Sequence, residues 1–234
     1  MSIILHRTGR RFPLNTSATV NPIITDGVVL YLDGANYKSG TTWFDLGPYG
    51  NNGILTNSPT FINSGGGALS FNGTNNILFS SPSNIPSGNT LYTIFSWVYP
   101  TVNDASSHGI IGWGTFGSAG QVTALKLGGT TITNYWWGID LTAENFTATN
   151  KWYNIVATYN GTSRKIYSNN VVIGSDSPGG HNVVTTSNLS VGSSQSNGTE
   201  PFNGYIAIVL VYNRGLSTSE IANMYNTTKS RFGY

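Results

Sequence analysis

Three tryptophans and one aspartate are of residue types that bind sugars. Trp136, Trp137 and Asp140 lie in one short segment, and Trp113 lies nearby in the sequence. Exposed aromatic rings can stack on a sugar ring while carboxylates accept hydrogen bonds from its hydroxyls. The alternative is that the tryptophans pack inside the fold or against a neighbouring subunit. Adjacent residues of a strand point to opposite faces, so at most one of Trp136 and Trp137 is expected in the core and the other is expected to be more exposed.

A second candidate is basic and lies near the start of the chain. Arg7, Arg10 and Arg11 cluster there and Phe12 follows them, in a stretch with no sustained hydrophobic period and with prolines that oppose regular structure. We expect an extended N-terminal arm over residues 1–25. Its arginines would dock on carboxylates of a partner and Phe12 would act as the anchor. The alternative is a solvated tail.

Composition limits the classes of function. The 234 residues carry a net charge of +2, and only 9% are charged whereas 12% are aromatic. This weak charge gives no support to nucleic-acid binding. No apolar run approaches the ~18 residues of a membrane span, so we expect no membrane insertion. The first residues lack the apolar core of a signal peptide. Cysteine is absent, which excludes disulfides and thiolate metal sites.

The segment 151–170 predicts a β-hairpin. Alternate residues from Tyr153 to Tyr159 are apolar, as expected of a strand with one face on a core. Asn160-Gly161 then predicts a tight turn, because both residues accept positive φ readily. Arg164–Ser168 returns as a shorter and more polar strand.

The remaining segments complete an all-β pattern with one helix. Residues 91–99 are apolar on both sides, which is typical of a central strand covered by a second layer. Ser217 and Glu220 have capping-box spacing and predict a helix over residues 218–228. The pattern favours an antiparallel two-sheet jelly-roll sandwich with one short C-terminal helix. Further strands are predicted at 27–33, 54–56, 68–71, 76–79, 109–116, 122–127, 134–141, 171–174, 188–192 and 202–213.

Four stretches in order carry a family resemblance. They are Gly27-Val-Val-Leu-Tyr-Leu-Asp33 with Thr42-Trp43-Phe44-Asp45-Leu46 and Gly50-Asn-Asn-Gly53; Leu69-Ser-Phe-Asn-Gly73; Tyr92-Thr-Ile-Phe-Ser-Trp97 with the 151–170 hairpin; and Phe202-Asn-Gly-Tyr-Ile206 through Tyr212-Asn-Arg-Gly-Leu-Ser217 to Glu220-Ile221. Together they resemble the laminin G-like, concanavalin A-like lectin/glucanase jelly roll. The resemblance implies such a domain over residues 26–234.

The resemblance implies two kinds of chemistry that can be tested on the residues. Some members bind calcium, and Asp33 and Asp45 lie near turns where they could contribute oxygen ligands. The alternative, turn capping, is favoured, and we expect no cofactor or metal. Retaining glucanases of this fold place two carboxylates about 5 Å apart. The glutamates Glu144, Glu200 and Glu220 have no partner at suitable spacing, so we expect no enzyme.

The opening and closing motifs also resemble those of bacteriophage virion proteins. The leading prediction is therefore a non-enzymatic virion structural protein, a capsid decoration or fibre- and tail-associated domain that stabilises the particle or adheres to the host surface. It would be assembled in the host cytoplasm and located on the virion. Its expected partners are other virion proteins of capsid or tail, with surface glycans and a homo-oligomer as further possibilities. The alternative is a carbohydrate-binding lectin-like module, and a glycan hydrolase is less favoured.

Overall fold

The computed structural model describes residues 23–102, 104–146 and 149–234. These residues form two antiparallel sheets with a helix near the C-terminal end. The strands are β1 (Val28–Asp33), β2 (Thr42–Trp43), β3 (Gly53–Thr56), β4 (Thr60–Ile62), β5 (Ala68–Asn72), β6 (Asn76–Phe79), β7 (Tyr92–Pro100), β8 (His108–Gly114), β9 (Val122–Gly128), β10 (Thr131–Tyr135), β11 (Leu141–Ala143), β12 (Tyr153–Tyr159), β13 (Arg164–Ser168), β14 (Val171–Asp176), β15 (Ser190–Val191) and β16 (Asn203–Tyr212). The helix is α1 (Thr218–Thr228), and short 3₁₀ helices span Gly34–Asn36, Ser64–Gly66 and Lys229–Phe232.

The two sheets each contain eight strands and pack face to face. The first sheet has the order β14-β13-β12-β7-β16-β5-β4, with β1 also paired to β16, and the second has the order β11-β10-β9-β8-β15-β6-β3-β2. Every strand pairing is antiparallel. The predicted all-β two-sheet sandwich with one C-terminal helix is therefore confirmed.

One large hydrophobic core lies between the sheets. Alternate residues of β12 and β16 point into it, as the two-residue period of a strand requires. The facing residues of β9 and β10 do the same from the second sheet, where Leu125 and Ile132 are fully buried.

A smaller core lies on the outer face of the first sheet. Phe95 and Trp97 of β7 are buried there beneath α1, whose Ile221 and Met224 face the sheet. The predicted second layer over residues 91–99 is thereby confirmed. The helix begins at the predicted capping box, in which the Ser217 side chain accepts from the backbone N–H of Glu220 and the Glu220 carboxylate accepts from that of Ser217.

The hairpin over residues 151–170 is confirmed, but its turn differs from the prediction. Tyr159 pairs with Arg164, so four residues, 160–163, form the loop instead of two. The Asn160 side-chain oxygen accepts from the backbone N–H groups of Thr162 and Ser163 at 3.0 and 2.8 Å. Asn160 therefore caps a loop of four residues. The Asn-Gly pair alone does not distinguish such a loop from a two-residue turn, because asparagine favours both.

The predicted docking residues Arg7, Arg10, Arg11 and Phe12 lie outside the described residues. The first described residue, Ile23, is buried in the smaller core, and the Tyr212 hydroxyl donates to the Ile24 carbonyl at 2.9 Å. The boundary between arm and domain at residue 25 stays a prediction. In the part of the chain that the structure describes, no helix is long and apolar enough to cross a membrane.

Candidate functional site

Two of the predicted sugar-binding tryptophans do not reach the surface. Trp113 and Trp136 are completely buried in the main core. Trp113 donates its indole N–H to the Pro86 carbonyl at 2.9 Å. Neither ring has a face that a sugar can reach, so the prediction for these two residues is wrong. Both side chains pack in the hydrophobic core between the sheets.

Trp136 belongs to a polar cluster inside one end of the sandwich. Its indole N–H donates to the Tyr92 hydroxyl at 2.8 Å, and that hydroxyl donates to the Asn134 side-chain oxygen at 2.8 Å. The ring of His181 stacks on Trp136 with centroids 3.8 Å apart and an angle of 8° between the planes. Burial lowers the pKa of His181 to about 4, so this imidazole is neutral near pH 7.

A buried guanidinium also packs on Trp136. The Cζ atom of Arg164 lies 3.9 Å from the centre of the indole ring, and its side chain is only 1% exposed. Arg164 makes a two-point ion pair with Asp176, in which Nε donates to Oδ1 at 3.0 Å and Nη2 donates to Oδ2 at 2.5 Å. A charge removed from water needs such a partner, because its desolvation costs several kcal/mol. Arg164 was predicted only as part of a polar strand, and its interior position is a finding of the structure.

The residues after Trp136 form a turn, not the strand predicted over 134–141. Strand β10 ends at Tyr135, and Trp137 and Gly138 have positive φ angles of 58° and 82°. The Asp140 carboxylate closes the turn by accepting from the backbone N–H of Trp136 at 2.7 Å. The Trp136 carbonyl accepts from the N–H of Gly120 at 2.8 Å. The turn thus buries Trp136 and leaves Trp137 half-buried at the surface, which confirms that the two side chains diverge.

Trp137 joins two other half-buried rings to form what we call the aromatic patch, comprising Phe116, Tyr135 and Trp137. The centroids of Tyr135 and Trp137 are 5.9 Å apart, those of Phe116 and Trp137 are 6.4 Å apart, and those of Phe116 and Tyr135 are 6.3 Å apart. Trp137 stands at 68° to Tyr135 and at 88° to Phe116, whereas the other two rings are within 24° of parallel. The patch therefore offers rings in two orientations.

Charged groups border the patch. Lys126 lies with Nζ 3.9 Å from the centre of the Tyr135 ring and 2.8 Å from the Glu200 carboxylate. Asp140 is exposed, with Oδ1 used in the turn. Burial, Asp140 and Glu200 raise the pKa of Tyr135 to about 12, so its hydroxyl is neutral and can donate or accept a hydrogen bond.

The candidate calcium ligands Asp33 and Asp45 are engaged within the protein. The Asp33 carboxylate accepts from the backbone N–H of Ala35 and pairs with Arg231 at 2.8 Å. Asp45 accepts from the backbone N–H groups of Gly47 and Asn51 in its turn and from that of Tyr31 in β1, at 2.8 Å each. Turn capping therefore accounts for both residues. Among the described residues, no group of three or more histidines and carboxylates is arranged to hold a metal ion.

The three glutamates are also dispersed. Glu220 is held by Arg214 at 2.8 Å and by the helix cap, and Glu200 is held by Lys126. Glu144 is exposed just after β11. The structure thus shows no pair of glutamates in the described residues that face each other across a cleft.

Sequence reasoning missed Phe116 and Tyr135. Tyr135 had a usable signal, because the alternation of Thr131–Tyr135 places it on the face opposite buried Ile132 and Asn134. Phe116 follows a strand end and reaches the patch only because the loop after β8 lies beside the turn after β10. That proximity comes from tertiary contacts, such as Gly120 with Trp136.

The two facing antiparallel sheets define the class as a β-sandwich. A family model described as the concanavalin A-like lectin/glucanases superfamily matches residues 71–222. The chain belongs to this superfamily. A search of curated proteins finds no match in sequence.

Solved structures share the fold at low sequence identity. The binding domain of Paraclostridial Mosquitocidal Protein 1 is similar with a TM-score of 0.65 and 15% identity, over 87% of this chain and 52% of that one. The binding domain of botulinum neurotoxin DC in complex with SialylT has a TM-score of 0.67 and 13% identity, over 87% and 52%. This chain therefore spans about half the length of these toxin domains.

A third similar structure matches almost end to end. It is domain 4 of AbnA, a GH43 extracellular arabinanase from Geobacillus stearothermophilus, in complex with arabinotriose. The TM-score is 0.62 and the identity is 16%, over 85% of this chain and 98% of that one. At these identities the likeness shows the fold alone.

Proposed function

We propose that the chain is a lectin-like module that binds carbohydrate without cleaving it, and that the aromatic patch is its binding surface. The observation that carries the proposal is the grouping of three half-buried rings, Phe116, Tyr135 and Trp137, beside an exposed carboxylate. Sugar rings present apolar C–H faces and a rim of hydroxyls. Aromatic rings bordered by hydrogen-bonding groups match both features.

The patch is rigidly supported, which favours binding. Trp137 projects from a turn that Asp140 closes and that Gly120 ties to the neighbouring loop. Beneath the turn, Trp136 is fixed by Tyr92 and His181. A ring that is already held in place loses little conformational entropy when a ligand stacks on it.

Similar structures support the proposal to different degrees. The arabinanase domain is matched over 98% of its length, and it was solved with arabinotriose. A domain of this size and fold is therefore sufficient to hold a sugar in that protein. The toxin binding domains are matched over only about half, so they give weaker support, although one of them was solved with SialylT.

Binding without hydrolysis is supported by the engagement of two of the three glutamates. A retaining glycosidase needs two carboxyl groups about 5–5.5 Å apart across the scissile bond. Glu200 and Glu220 are instead each held in an ion pair. Incubating the protein with oligosaccharides that it binds should release no reducing ends, and detection of cleavage would contradict this part of the proposal.

A glycan array with wild type and Trp137→Ala tests the binding function. Loss of the indole removes one ring of the patch, and we expect binding to weaken by at least about tenfold, or about 1.4 kcal/mol. Phe44→Ala is a matched control, because Phe44 is a 57% exposed ring outside the patch. If the wild type binds no glycan, the proposed function is refuted. If both variants lose binding equally, the aromatic patch is not the binding surface.

Display on a virus particle stays a prediction. It rests on the resemblance of the sequence motifs and on the basic segment that contains Arg7, Arg10 and Arg11, which lies outside the described residues. Deleting residues 1–20 should leave a folded sandwich that no longer joins particles, and normal incorporation of the truncated protein would refute docking by the arm. The homo-oligomer also stays a prediction, and light scattering of the purified protein measures its oligomeric state.

A further inference from the structure

We propose that the aromatic patch selects uncharged glycans and discriminates against acidic ones, such as those that carry sialic or uronic acid. The proposal rests on the proposed function and names the class of ligand for the same site. It is carried by the charges that surround Phe116, Tyr135 and Trp137, because none of the described cations there is free to meet a ligand carboxylate.

Lys126 is a cation in direct contact with the patch, and its charge is already neutralised by Glu200. Its Nζ atom donates to the Glu200 carboxylate at 2.8 Å and lies 3.9 Å from the centre of the Tyr135 ring. The Lys126 side chain is only 11% exposed. A carboxylate on a ligand would have to displace Glu200 to reach this ammonium group, and the displaced Glu200 would lose its ion pair.

Arg164 is the second cation near the patch, and it is inaccessible. Its guanidinium lies against buried Trp136, in the layer below the patch, and forms two hydrogen bonds with Asp176. At 1% exposure it cannot contact a ligand on the surface. Specific binding of acidic sugars commonly uses a bidentate arginine or a free lysine, and within residues 23–102, 104–146 and 149–234 neither Lys126 nor Arg164 is available at the patch.

The negative charges are not balanced in the same way. Asp140 is exposed and its partner is a backbone N–H of the turn, not a cation. One oxygen of Glu200, Oε2, is buried without a hydrogen-bond partner among the described residues. The ion pairs of Lys126 and Arg164 are each neutral overall, so the unbalanced charge at the patch is that of Asp140. A second carboxylate brought beside it would be repelled.

Polar groups suited to hydroxyls remain available. Asp140 Oδ2 has no donor among the residues that the structure describes, and a carboxylate oxygen accepts well from a sugar hydroxyl. The neutral Tyr135 hydroxyl can both donate and accept. The described part of the patch therefore has groups that bind hydroxyls but none that compensates an anion, which matches a neutral sugar.

The test compares a matched pair of ligands, lactose and 3′-sialyllactose, together with a neutral and an acidic plant oligosaccharide on the same array. We expect wild type to bind the neutral member of each pair about threefold to tenfold more tightly at low ionic strength, as one unscreened charge a few ångströms away implies. The preference should shrink at 0.5 M salt, where the Debye length falls to roughly 4 Å.

Asp140→Asn separates charge from structure, since the amide oxygen can still accept from the Trp136 N–H and keep the turn. We expect this variant to lose most of the discrimination, whereas Glu144→Gln, which removes an exposed carboxylate outside the patch, retains it. Acidic glycans bound equally or more tightly by wild type, with sensitivity to Trp137→Ala, would overturn the selectivity and leave the binding function standing. Absence of binding to either class would refute the proposed function and the selectivity together.

Discussion

Removing the partner of the buried guanidinium should be the most informative change to stability. Asp176→Ala leaves Arg164 inside the sandwich with its charge intact and with both of its ion-pair hydrogen bonds gone. Arg164 Nη1 already has no partner among the described residues. The unpaired cation would then lie against the neutral ring of Trp136, and cation–π attraction replaces only part of the loss.

The expected loss in the free energy of unfolding follows from how deeply the ion pair is buried. Breaking a buried ion pair by deleting one partner costs about 3–5 kcal/mol. Asp176 is 32% exposed, so water can approach from its side and recover part of that cost. We therefore expect the free energy of unfolding to fall by about 2–3 kcal/mol for Asp176→Ala.

Adding Arg164→Met should restore much of the loss, because methionine fills a similar volume without a charge. Urea unfolding of wild type, both single variants and the double variant, followed by tryptophan fluorescence, measures the coupling between the two side chains. Asp176 does not offset the cost of burying Arg164 if Asp176→Ala changes the free energy of unfolding by less than about 0.5 kcal/mol. The same conclusion follows if the double variant is less stable than Asp176→Ala alone.

Two further predictions concern His181, which lies at the same end of the sandwich, and Gly109 of β8, which packs against the backbone at Ser194. Burial lowers the pKa of His181 to about 4, from about 6.5 in the unfolded chain, so stability should be complete above about pH 6.5 and decline by up to about 3 kcal/mol as the pH falls toward 4. His181→Gln should flatten this decline in urea unfolding at pH 7, 5.5 and 4.5, and an unchanged pH profile would exclude His181 as its source. Gly109→Ala would place a Cβ atom 2.0 Å from the backbone nitrogen of Ser194 and should cost about 1–3 kcal/mol in the free energy of unfolding. Gly179→Ala, where no atom lies within 4 Å of the added carbon, should be neutral, and equal effects of the two changes would contradict the packing of the loop.

Local signals were sufficient where neighbouring residues decide the structure. The capping box at Ser217 and Glu220 needs only a three-residue spacing, and the predicted helix has the observed bounds. The hairpin strands were likewise visible, because the two-residue period marks the face of β12 that packs into the main core. The period did not show that the opposite face is covered as well, since all seven residues of β12 are buried. The four-residue loop was not visible, since asparagine and glycine favour several turn types.

Distant contacts decided the features that sequence reasoning missed. Trp136 and Trp137 have the β propensity of a strand, but the nearby Asp140 caps a turn there and the distant Gly120 holds that turn in place. Arg164 belongs to a strand with polar neighbours, and only Asp176 and Trp136 explain why it points inward. Of the predicted site residues, Trp137 and Asp140 lie at the surface, whereas Trp113 and Trp136 lie in the core. The role of Trp137 and Asp140 in binding stays a prediction, and that prediction did not include Phe116 and Tyr135.

The central claim is that a glycan binds on the aromatic patch, and the indole N–H signals of the protein test it most directly. Each of the six tryptophans gives one such signal in a ¹H–¹⁵N spectrum, and single Trp→Phe changes assign them. On titration with a neutral oligosaccharide that the array identifies, we predict that the Trp137 signal shifts in proportion to occupancy, whereas the signal of buried Trp113 stays in place. Saturable binding that leaves the Trp137 signal unmoved would contradict the claim.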